Sequence, residues 1–193
     1  MSGEDPYSGV DGVLINRLGL TDAGALRRAE ADLSFAALLR LATRPVPGGY
    51  DLEHLRAFHR QIFGAVYPWA GELRTVDIAR TPRDRFCHWA YIPEQSVLIF
   101  RALAAERLLT GLARGAFVAR LAYYYGEINA IHPFREGNGR AQRAFLAQLA
   151  REAGWRLAWT ALDPAGNDHA SAAALHGDLG PLTALLEDLV RPL

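Results

Sequence analysis

The fold of this chain is decided by residues 132–143, which read His-Pro-Phe-Arg-Glu-Gly-Asn-Gly-Arg-Ala-Gln-Arg. Apolar residues at helical spacing precede and follow this stretch, so we interpret it as a loop that leaves one helix and starts the next. Pro133 disfavours a helix through His132, because the residue before a proline is pushed out of the α region. Asn138 stands between two glycines and is predicted to cap the new helix. The first turn of that helix presents unpaired N–H groups, which favour an anion.

The charged residues of the stretch fit an anion site. Arg140 and Arg143 lie three residues apart and therefore share one face of the new helix. Two guanidinium groups beside the positive end of a helix repel each other unless an anion lies between them, and a phosphate chain suits both. Glu136 can reach phosphate oxygens through a hard metal such as Mg²⁺, and His132 can accept a proton near neutral pH. The stretch therefore predicts a phosphate-transfer site.

The same stretch resembles the signature of the Fic (Fic/Doc) family, His-Pro-Phe-x-[Asp/Glu]-Gly-Asn-Gly-Arg-x-x-Arg, and matches it at every defined position. Residues 67–74, Tyr-Pro-Trp-Ala-Gly-Glu-Leu-Arg, and residues 76–78, Val-Asp-Ile, are similar to the start of the family's flap hairpin. Residues 14–19 and 177–182 also resemble Fic proteins. The resemblance covers nearly the whole chain and implies an all-α Fic fold, a helical bundle around a central helix with one β-hairpin flap.

The domain organisation is expected to be simple. With 193 residues, half of them hydrophobic, the chain is large enough for one good core, and we expect a single Fic domain over 1–193. Within that domain we expect an N-terminal arm over 1–20, the flap hairpin over 71–92, and the signature loop and helix start over 132–143.

The local patterns predict where several elements begin and end. The pair Thr21-Asp22 is predicted to cap the first helix, and Asp51 the second. Alternating apolar residues predict short flap strands over 73–78 and 86–92, and Pro93 is predicted to open the next helix. Leucines at helical spacing, continued by Val190, predict the last helix.

Composition and charge exclude several functional classes. The formal net charge is zero, which gives no indication of a general nucleic-acid or anionic-membrane surface. All 21 basic residues are arginine, which excludes a P-loop lysine, a kinase lysine and Schiff-base chemistry. The single Cys87 excludes an internal disulfide and indicates a reducing compartment. Since neither a signal peptide nor a membrane span is predicted, we expect the bacterial cytoplasm.

Two histidines of the second predicted helix are not expected to bind a metal. His54 and His59 lie five residues apart, not the four that align two ligands on one face of a helix, and no third ligand is evident. We interpret both as surface or core residues.

The resemblance implies an activity, the transfer of AMP from ATP onto a Ser, Thr or Tyr hydroxyl of a target protein. ATP is then the co-substrate and Mg²⁺ the cofactor. His132 is implied as the catalytic base, Glu136 as the residue that holds Mg²⁺ between phosphates, and Phe134 as a structural anchor of the loop. The implied ATP-binding residues are Glu136, Gly137, Asn138, Gly139, Arg140 and Arg143, with Arg140 on the outgoing phosphates and Arg143 on the γ-phosphate.

The resemblance also gives the flap a role, because Fic flaps clamp a target segment by strand addition beside the active site. The implied target-docking residues are Leu73, Thr75, Val76, Asp77 and Ile78. Many relatives carry Lys-Gly after the isoleucine, where this chain has Ala79 and Arg80. The sequence therefore does not determine how this flap contacts a nucleotide.

Regulation by a partner is the remaining implication. Many Fic enzymes are restrained by a helix with Ser/Thr-x-x-x-Glu-Gly/Asn, whose glutamate pairs with the second signature arginine, here Arg143. The nearest stretch of this chain, residues 183–188, ends in aspartate and is interpreted as part of the last core helix. We therefore expect inhibition by a small separate antitoxin. The Fic toxins that resemble this chain act on the ATPase subunits of DNA gyrase and topoisomerase IV, which are carried over as candidate targets.

Two alternatives to AMP transfer remain open. The first is a Fic enzyme with another donor, transferring UMP, phosphocholine or phosphate. The second is a non-catalytic binding protein that keeps the Fic fold. The intact His132, Glu136 and paired arginines disfavour the second, since a lapsed site has no physical need for such a cationic cluster.

Overall fold

The computed structural model describes residues 5–9 and 11–193. Residues 1–4 and 10 of the predicted N-terminal arm lie outside the described residues. The described part of the chain forms seven α-helices and one two-stranded sheet. The elements are α1 (Ala23–Thr43), α2 (Leu52–Phe63), α3 (Ile92–Ala105), α4 (Arg114–Ile131), α5 (Asn138–Glu152), β1 (Trp155–Leu157), α6 (Pro164–Leu175), α7 (Gly180–Leu189) and β2 (Val190–Pro192).

The first two helices begin where their capping residues predict. The carboxylate of Asp22 accepts a hydrogen bond from the backbone N–H of Ala25 at 2.7 Å, and that of Asp51 accepts from the N–H of His54 at 2.8 Å. Each bond satisfies an N–H group that has no partner inside the helix. Both predicted N-caps are confirmed.

Helix α4 is the central helix of the bundle. Its buried residues lie on all sides of the helix and include Phe117, Leu121, Tyr124 and Ile128, as expected for a helix surrounded by others. Helices α3, α5, α6 and α7 all pack against it. The loop between α4 and α5 is therefore anchored at both ends in the core, and the predicted all-α class is confirmed.

The regular sheet lies at the C-terminal end of the chain. Strand β1 pairs antiparallel with β2, with Trp155 opposite Pro192 and Leu157 opposite Val190. The prediction that Val190 continues the last helix is wrong, because α7 ends at Leu189 and the backbone of Val190 turns to pair with Leu157. The pairing joins the end of the chain to the segment that follows α5.

The flap segment, residues 71–92, is less regular than predicted. Its two arms are joined by one antiparallel bridge between Ala79 and Arg85, the residues 89–91 form a turn of 3₁₀ helix, and α3 starts at Ile92. Polar side chains form hydrogen bonds with backbone groups that would otherwise pair between two strands. Arg74 donates to the carbonyl of Val76 at 2.7 Å, and Asp77 accepts from the N–H of Trp89 at 2.9 Å. The predicted regular strands are therefore replaced by a loop closed at its tip.

Among the helices that the structure describes, none has the length and apolar character needed to cross a membrane.

Candidate active site

Helix α4 ends at the first residue of the signature. His132 has a left-handed backbone (φ 42°, ψ 64°) and follows the last helical residue, Ile131, so the predicted stop before Pro133 is confirmed. The Nδ1 atom of His132 lies 3.2 Å from the carbonyl oxygen of Asn129. A carbonyl can only accept, so Nδ1 carries the proton and Nε2 is left as the acceptor.

The surroundings of His132 keep its imidazole neutral. Burial lowers its pKa to about 3, because the charged form loses solvation, and the positive charge of Arg74 acts in the same direction. The ring of Phe86 from the flap stacks on the imidazole at 3.7 Å between ring centres. At neutral pH the lone pair of Nε2 is therefore available.

The turn into α5 depends on Gly137, which is the N-cap and has φ +81°. A Cβ atom there would lie 2.4 Å from the ring of Phe63, so no other residue fits. The prediction of Asn138 as N-cap is wrong. Its side chain instead spans the loop, accepting from the N–H of Phe134 at 2.8 Å and donating to the carbonyl of Phe134 at 2.7 Å.

Most of the predicted site residues surround one pocket at the N-terminal end of α5. The pocket has a volume of about 180 Å³. The first N–H groups of α5 have no partner within the helix, and the helix dipole is positive at this end. Since the side-chain amide of Asn138 is used in the loop, its backbone N–H is the group left for an anion. The lining residues are His132, Arg135, Glu136, Gly137, Asn138, Gly139, Arg140 and Arg143.

The predicted anchor, Phe134, lies below the pocket and not in its wall. Its side chain is 1% exposed and stacks on the ring of His59 at 3.9 Å between ring centres. This position agrees with the expectation that Phe134 holds the loop in the core.

The two signature arginines have different surroundings. Arg140 forms an ion pair with Glu30 of α1, and its Nη1 donates to the hydroxyl of Ser34 at 3.0 Å. Its guanidinium also lies 4.6 Å from the ring centre of Phe63. By contrast, Arg143 makes no ion pair within residues 5–9 and 11–193. Of the two signature arginines, Arg140 is therefore fixed, whereas Arg143 has no ion-pair partner among the described residues.

Glu136, which is predicted to hold a metal, lines the pocket. Its Oε1 accepts from the N–H of Gly137 at 2.9 Å and lies 3.7 Å from Nη2 of Arg140, and the side chain is 45% exposed. No group of three His, Cys, Asp or Glu residues that could hold a metal occurs in the described part of the chain. Magnesium commonly binds through one or two carboxylates together with substrate phosphates and water, so a single carboxylate fits it.

His59, interpreted from sequence as a surface or core residue, is a buried support of the signature loop. Its Nδ1 accepts from the N–H of Gly71 at 2.9 Å, so its Nε2–H donates to the carbonyl of Glu136 at 2.8 Å. Burial lowers the pKa of His59 to about 4, and the imidazole stays neutral. The loop contact was missed because the partners lie 12 and 77 residues away in sequence.

Arg74 is a second support that sequence reasoning missed. The residue is 1% exposed, and its guanidinium donates to the carbonyls of His132 (2.8 Å), Ile131 (3.2 Å) and Cys87. Burial lowers the pKa of its guanidinium from the usual range. The available signal was an arginine within the segment that was predicted to form the first flap strand. Through Arg74, the flap and the signature loop are joined by one set of buried hydrogen bonds.

The predicted docking residues of the flap lie at the surface or half-buried. The N–H of Thr75 donates to the hydroxyl of Tyr7 at 3.0 Å, whereas the N–H groups of residues 76–78 donate to no described residue. The flap tip contacts α6 through Arg80, which donates to the carbonyl of Asp168 at 2.6 Å, and through Asp84, which lies 2.9 Å from Nε2 of His176. The residue that replaces the usual flap glycine thus holds the tip against a neighbouring helix.

Comparison with known proteins gives consistent matches. The profile described as Fic/DOC family matches residues 49–150. "Protein adenylyltransferase VbhT" of Bartonella schoenbuchensis is 39% identical over 183 residues, covering 94% of this chain and 38% of VbhT. "Probable protein adenylyltransferase Fic" of Salmonella typhimurium is 40% identical over 190 residues, covering 97% of this chain and 93% of that protein. The chain thus spans well under half of VbhT and nearly all of the Salmonella protein.

The fold agrees with these matches. The N-terminal Fic domain of a VirB-translocated Bep effector protein from Bartonella quintana, solved with bound ADP, superposes with a TM-score of 0.92 at 26% identity. That alignment covers 96% of this chain and 94% of the Bartonella domain. The chain belongs to the Fic/DOC family.

Proposed function

We propose that this protein is a protein adenylyltransferase, which moves AMP from ATP onto a hydroxyl of a target protein. One observation carries the proposal: a neutral histidine with a free Nε2 lines the same pocket as the N-terminus of α5 and both signature arginines. The names of VbhT and of the Salmonella protein, together with the ADP of the Bartonella domain, support it.

The catalytic base in this proposal is His132. The Nε2 lone pair takes the proton of a Ser, Thr or Tyr hydroxyl as its oxygen attacks the α-phosphorus of ATP. A new O–P bond forms, the bond to the bridging oxygen breaks, and pyrophosphate leaves. The hydrogen bond from Nδ1–H to Asn129 keeps the ring oriented and stabilises the imidazolium that forms. The phosphates of the bound nucleotide lower the cost of that charge.

Phosphate binding falls to the start of α5 and to the arginines. The backbone N–H groups of residues 137–139 form the anion site, Arg140 holds the outgoing phosphates and Arg143 the γ-phosphate. Most of the rate enhancement then comes from positioning and from charges already in place, as in other phosphoryl-type transfers. Glu136, with ATP oxygens and water, would hold Mg²⁺, which supplies charge neutralisation between the phosphates.

The target segment is proposed to bind along the flap. The N–H groups of residues 76–78 donate to no residue that the structure describes, so they can pair with an added strand. Leu73, Thr75, Val76, Asp77 and Ile78 are the proposed docking residues. Because Arg74 links this segment to the carbonyl of His132, a strand paired here is held at a fixed distance from the base.

We also propose that a small antitoxin controls the protein by laying a helix into the groove between α1 and α5. This groove has a volume of about 560 Å³, and Phe35 and Leu39 on its wall are 61% and 58% exposed. Arg140 and Arg143 are among the residues that line it. An amphipathic helix with an apolar face and one glutamate is complementary to such a surface, and that glutamate would pair with Arg143.

The finer biological assignment follows the resemblance given by the sequence. We propose a toxin of the bacterial cytoplasm, with the ATPase subunit of gyrase or topoisomerase IV as the target to test first. Expression with and without an antitoxin candidate, read out as growth and plasmid supercoiling, tests this assignment.

The activity is tested by incubating the purified protein with Mg²⁺, α-³²P-ATP and a bacterial lysate, beside a His132→Ala control. Label on a lysate protein or on the enzyme, absent in the control, is the expected result. If label appears only with γ-³²P-ATP, the reaction is phosphate transfer. No label from either, with any co-purified partner removed, refutes the proposal.

A further inference from the structure

Glu30 of α1 lies outside the signature and contacts Arg140, which lines the pocket. Its side chain belongs to a residue only 8% exposed, and both carboxylate oxygens have partners. Oε1 accepts from Nη2 of Arg140, and Oε2 accepts from the hydroxyl of Tyr67. Burial raises the pKa of the Tyr67 hydroxyl, so it stays protonated and donates. Each oxygen of this buried carboxylate therefore has a hydrogen-bond partner without any ligand.

Contacts from α1 and from the last residue of α2 fix the guanidinium of Arg140 on several sides. Glu30 holds Nη2, Ser34 accepts from Nη1 at 3.0 Å, and the ring of Phe63 lies 4.6 Å below the group. A guanidinium has five N–H donors, and these contacts use two of them. Three donors remain for phosphate oxygens in the pocket that Arg140 lines.

This arrangement indicates that Glu30 orients Arg140 for the nucleotide and does not compete with the nucleotide for Arg140. A carboxylate that merely occupied the place of a phosphate would have to leave when the nucleotide binds. Displacing Glu30 would leave a buried charge beside Tyr67 without its main partner, which is strongly unfavourable. An arginine also loses much rotamer freedom on binding, and α1 has removed that freedom from Arg140 in advance.

We propose that Glu30 is a positioning residue for the nucleotide, which presets Arg140 to receive the phosphates of a nucleoside triphosphate. The inference rests on the proposed function and adds a residue outside the signature to it. In this proposal Arg140 fixes the position of the triphosphate in the pocket. Arg143, which makes no ion pair in the described part of the chain, then adjusts to the γ-phosphate.

The test compares nucleotide binding with catalysis in Glu30→Gln. We expect the Kd for the non-hydrolysable analogue AMPPNP with Mg²⁺, measured by calorimetry, to rise about tenfold, as for loss of a charge-assisted hydrogen bond. The KM for ATP should rise in parallel, while the KM for the target stays the same. Glu53→Gln is the matched control, since Glu53 pairs with Arg56 on the surface of α2, and it should change neither constant.

A second pair of variants shows whether the effect runs through Arg140. Tyr67→Phe removes the other partner of the carboxylate and should weaken AMPPNP binding less than Glu30→Gln does. In an Arg140→Ala background, Glu30→Gln should add nothing further. If Glu30→Gln does not fold, as judged by circular dichroism and Tm, Tyr67→Phe carries the test alone.

Three results overturn the inference: unchanged affinity in the folded variants, tighter binding, which would make Glu30 a competitor, or an effect that persists without Arg140. A wild-type protein that binds AMPPNP beside unaffected variants refutes this inference alone. A wild-type protein that binds no nucleotide refutes the proposed function, and this inference with it.

Discussion

The signature loop and the flap tip are held in opposite ways. The loop is held from below by buried groups, with His59 and Arg74 donating to its carbonyls and Asn138 bridging it internally. The flap tip is held at the surface, where Arg80 contacts Asp168 and Asp84 contacts His176. Buried hydrogen bonds are little screened and costly to break, whereas exposed ion pairs contribute little and weaken with salt. The signature loop is therefore held more firmly than the flap tip.

The largest effect on stability is expected from removing the buried hydrogen bonds that Arg74 makes with the signature loop. Arg74→Met leaves the carbonyls of His132 and Ile131 without their donor, and we expect it to lower the free energy of unfolding by about 3–5 kcal/mol. Urea denaturation followed by circular dichroism measures the loss. Arg80→Met is the matched control, and equal losses in the two variants would contradict the distinction drawn here.

The second expected effect concerns the turn into α5. Gly137→Ala places a Cβ against Phe63 at a backbone with φ +81°, which we expect to cost roughly 2–4 kcal/mol and to abolish AMP transfer. Gly154→Ala is a useful control, because that glycine also has positive φ (+89°) but its Cβ would meet nothing within 4 Å. The control should lose some stability and keep activity, measured by thermal unfolding and by label transfer.

The third prediction concerns the buried support His59 and the change of the free energy of unfolding with pH. Its pKa is near 6.5 in the unfolded chain and about 4 in the folded protein, because burial disfavours the charged form. Above pH 6.5 both states are neutral; as the pH falls toward 4, only the unfolded chain binds the proton, and stability falls. We expect protonation of this residue in the unfolded chain to lower the free energy of unfolding by on the order of 2 kcal/mol across that pH window.

The control for that prediction is His59→Gln, which lacks the titrating group. The variant should be less stable than the wild type at pH 7, and the difference should narrow as the pH is lowered, measured by urea denaturation at several pH values. A difference that stays constant with pH would show that His59 is not held neutral by burial. His132 contributes a parallel fall in both proteins and cancels in the comparison.

The smallest effect on stability is expected at the flap tip. Arg80→Ala removes an exposed contact with α6 and should change the free energy of unfolding by less than about 1 kcal/mol. If the tip contact orders the flap for docking, the KM for the target should rise while the KM for ATP is unchanged. High salt should raise the wild-type KM toward that of the variant. A change in the KM for ATP instead would place Arg80 at the nucleotide.

Local rules account for the parts of the fold that were predicted correctly. The caps at Asp22 and Asp51 and the helix stop before Pro133 each depend on neighbours within a few residues. The flap strands and the end of α7 were predicted less well. In both places a partner distant in sequence competes for the backbone, Arg74 and Asp77 in the flap and strand β1 beside Val190.

By itself the sequence determined that the protein has an anion site. A histidine, a carboxylate, two glycines and two arginines at fixed spacing define an anion site at a helix start, because that site is built from consecutive backbone and side-chain groups. Only the tertiary structure decided how the site is supported. Glu30, His59 and Arg74 reach it from α1, α2 and the flap, and burial turns these distant polar residues into its fixed partners. Such pairings depend on how the helices pack, which the spacing within one segment does not encode.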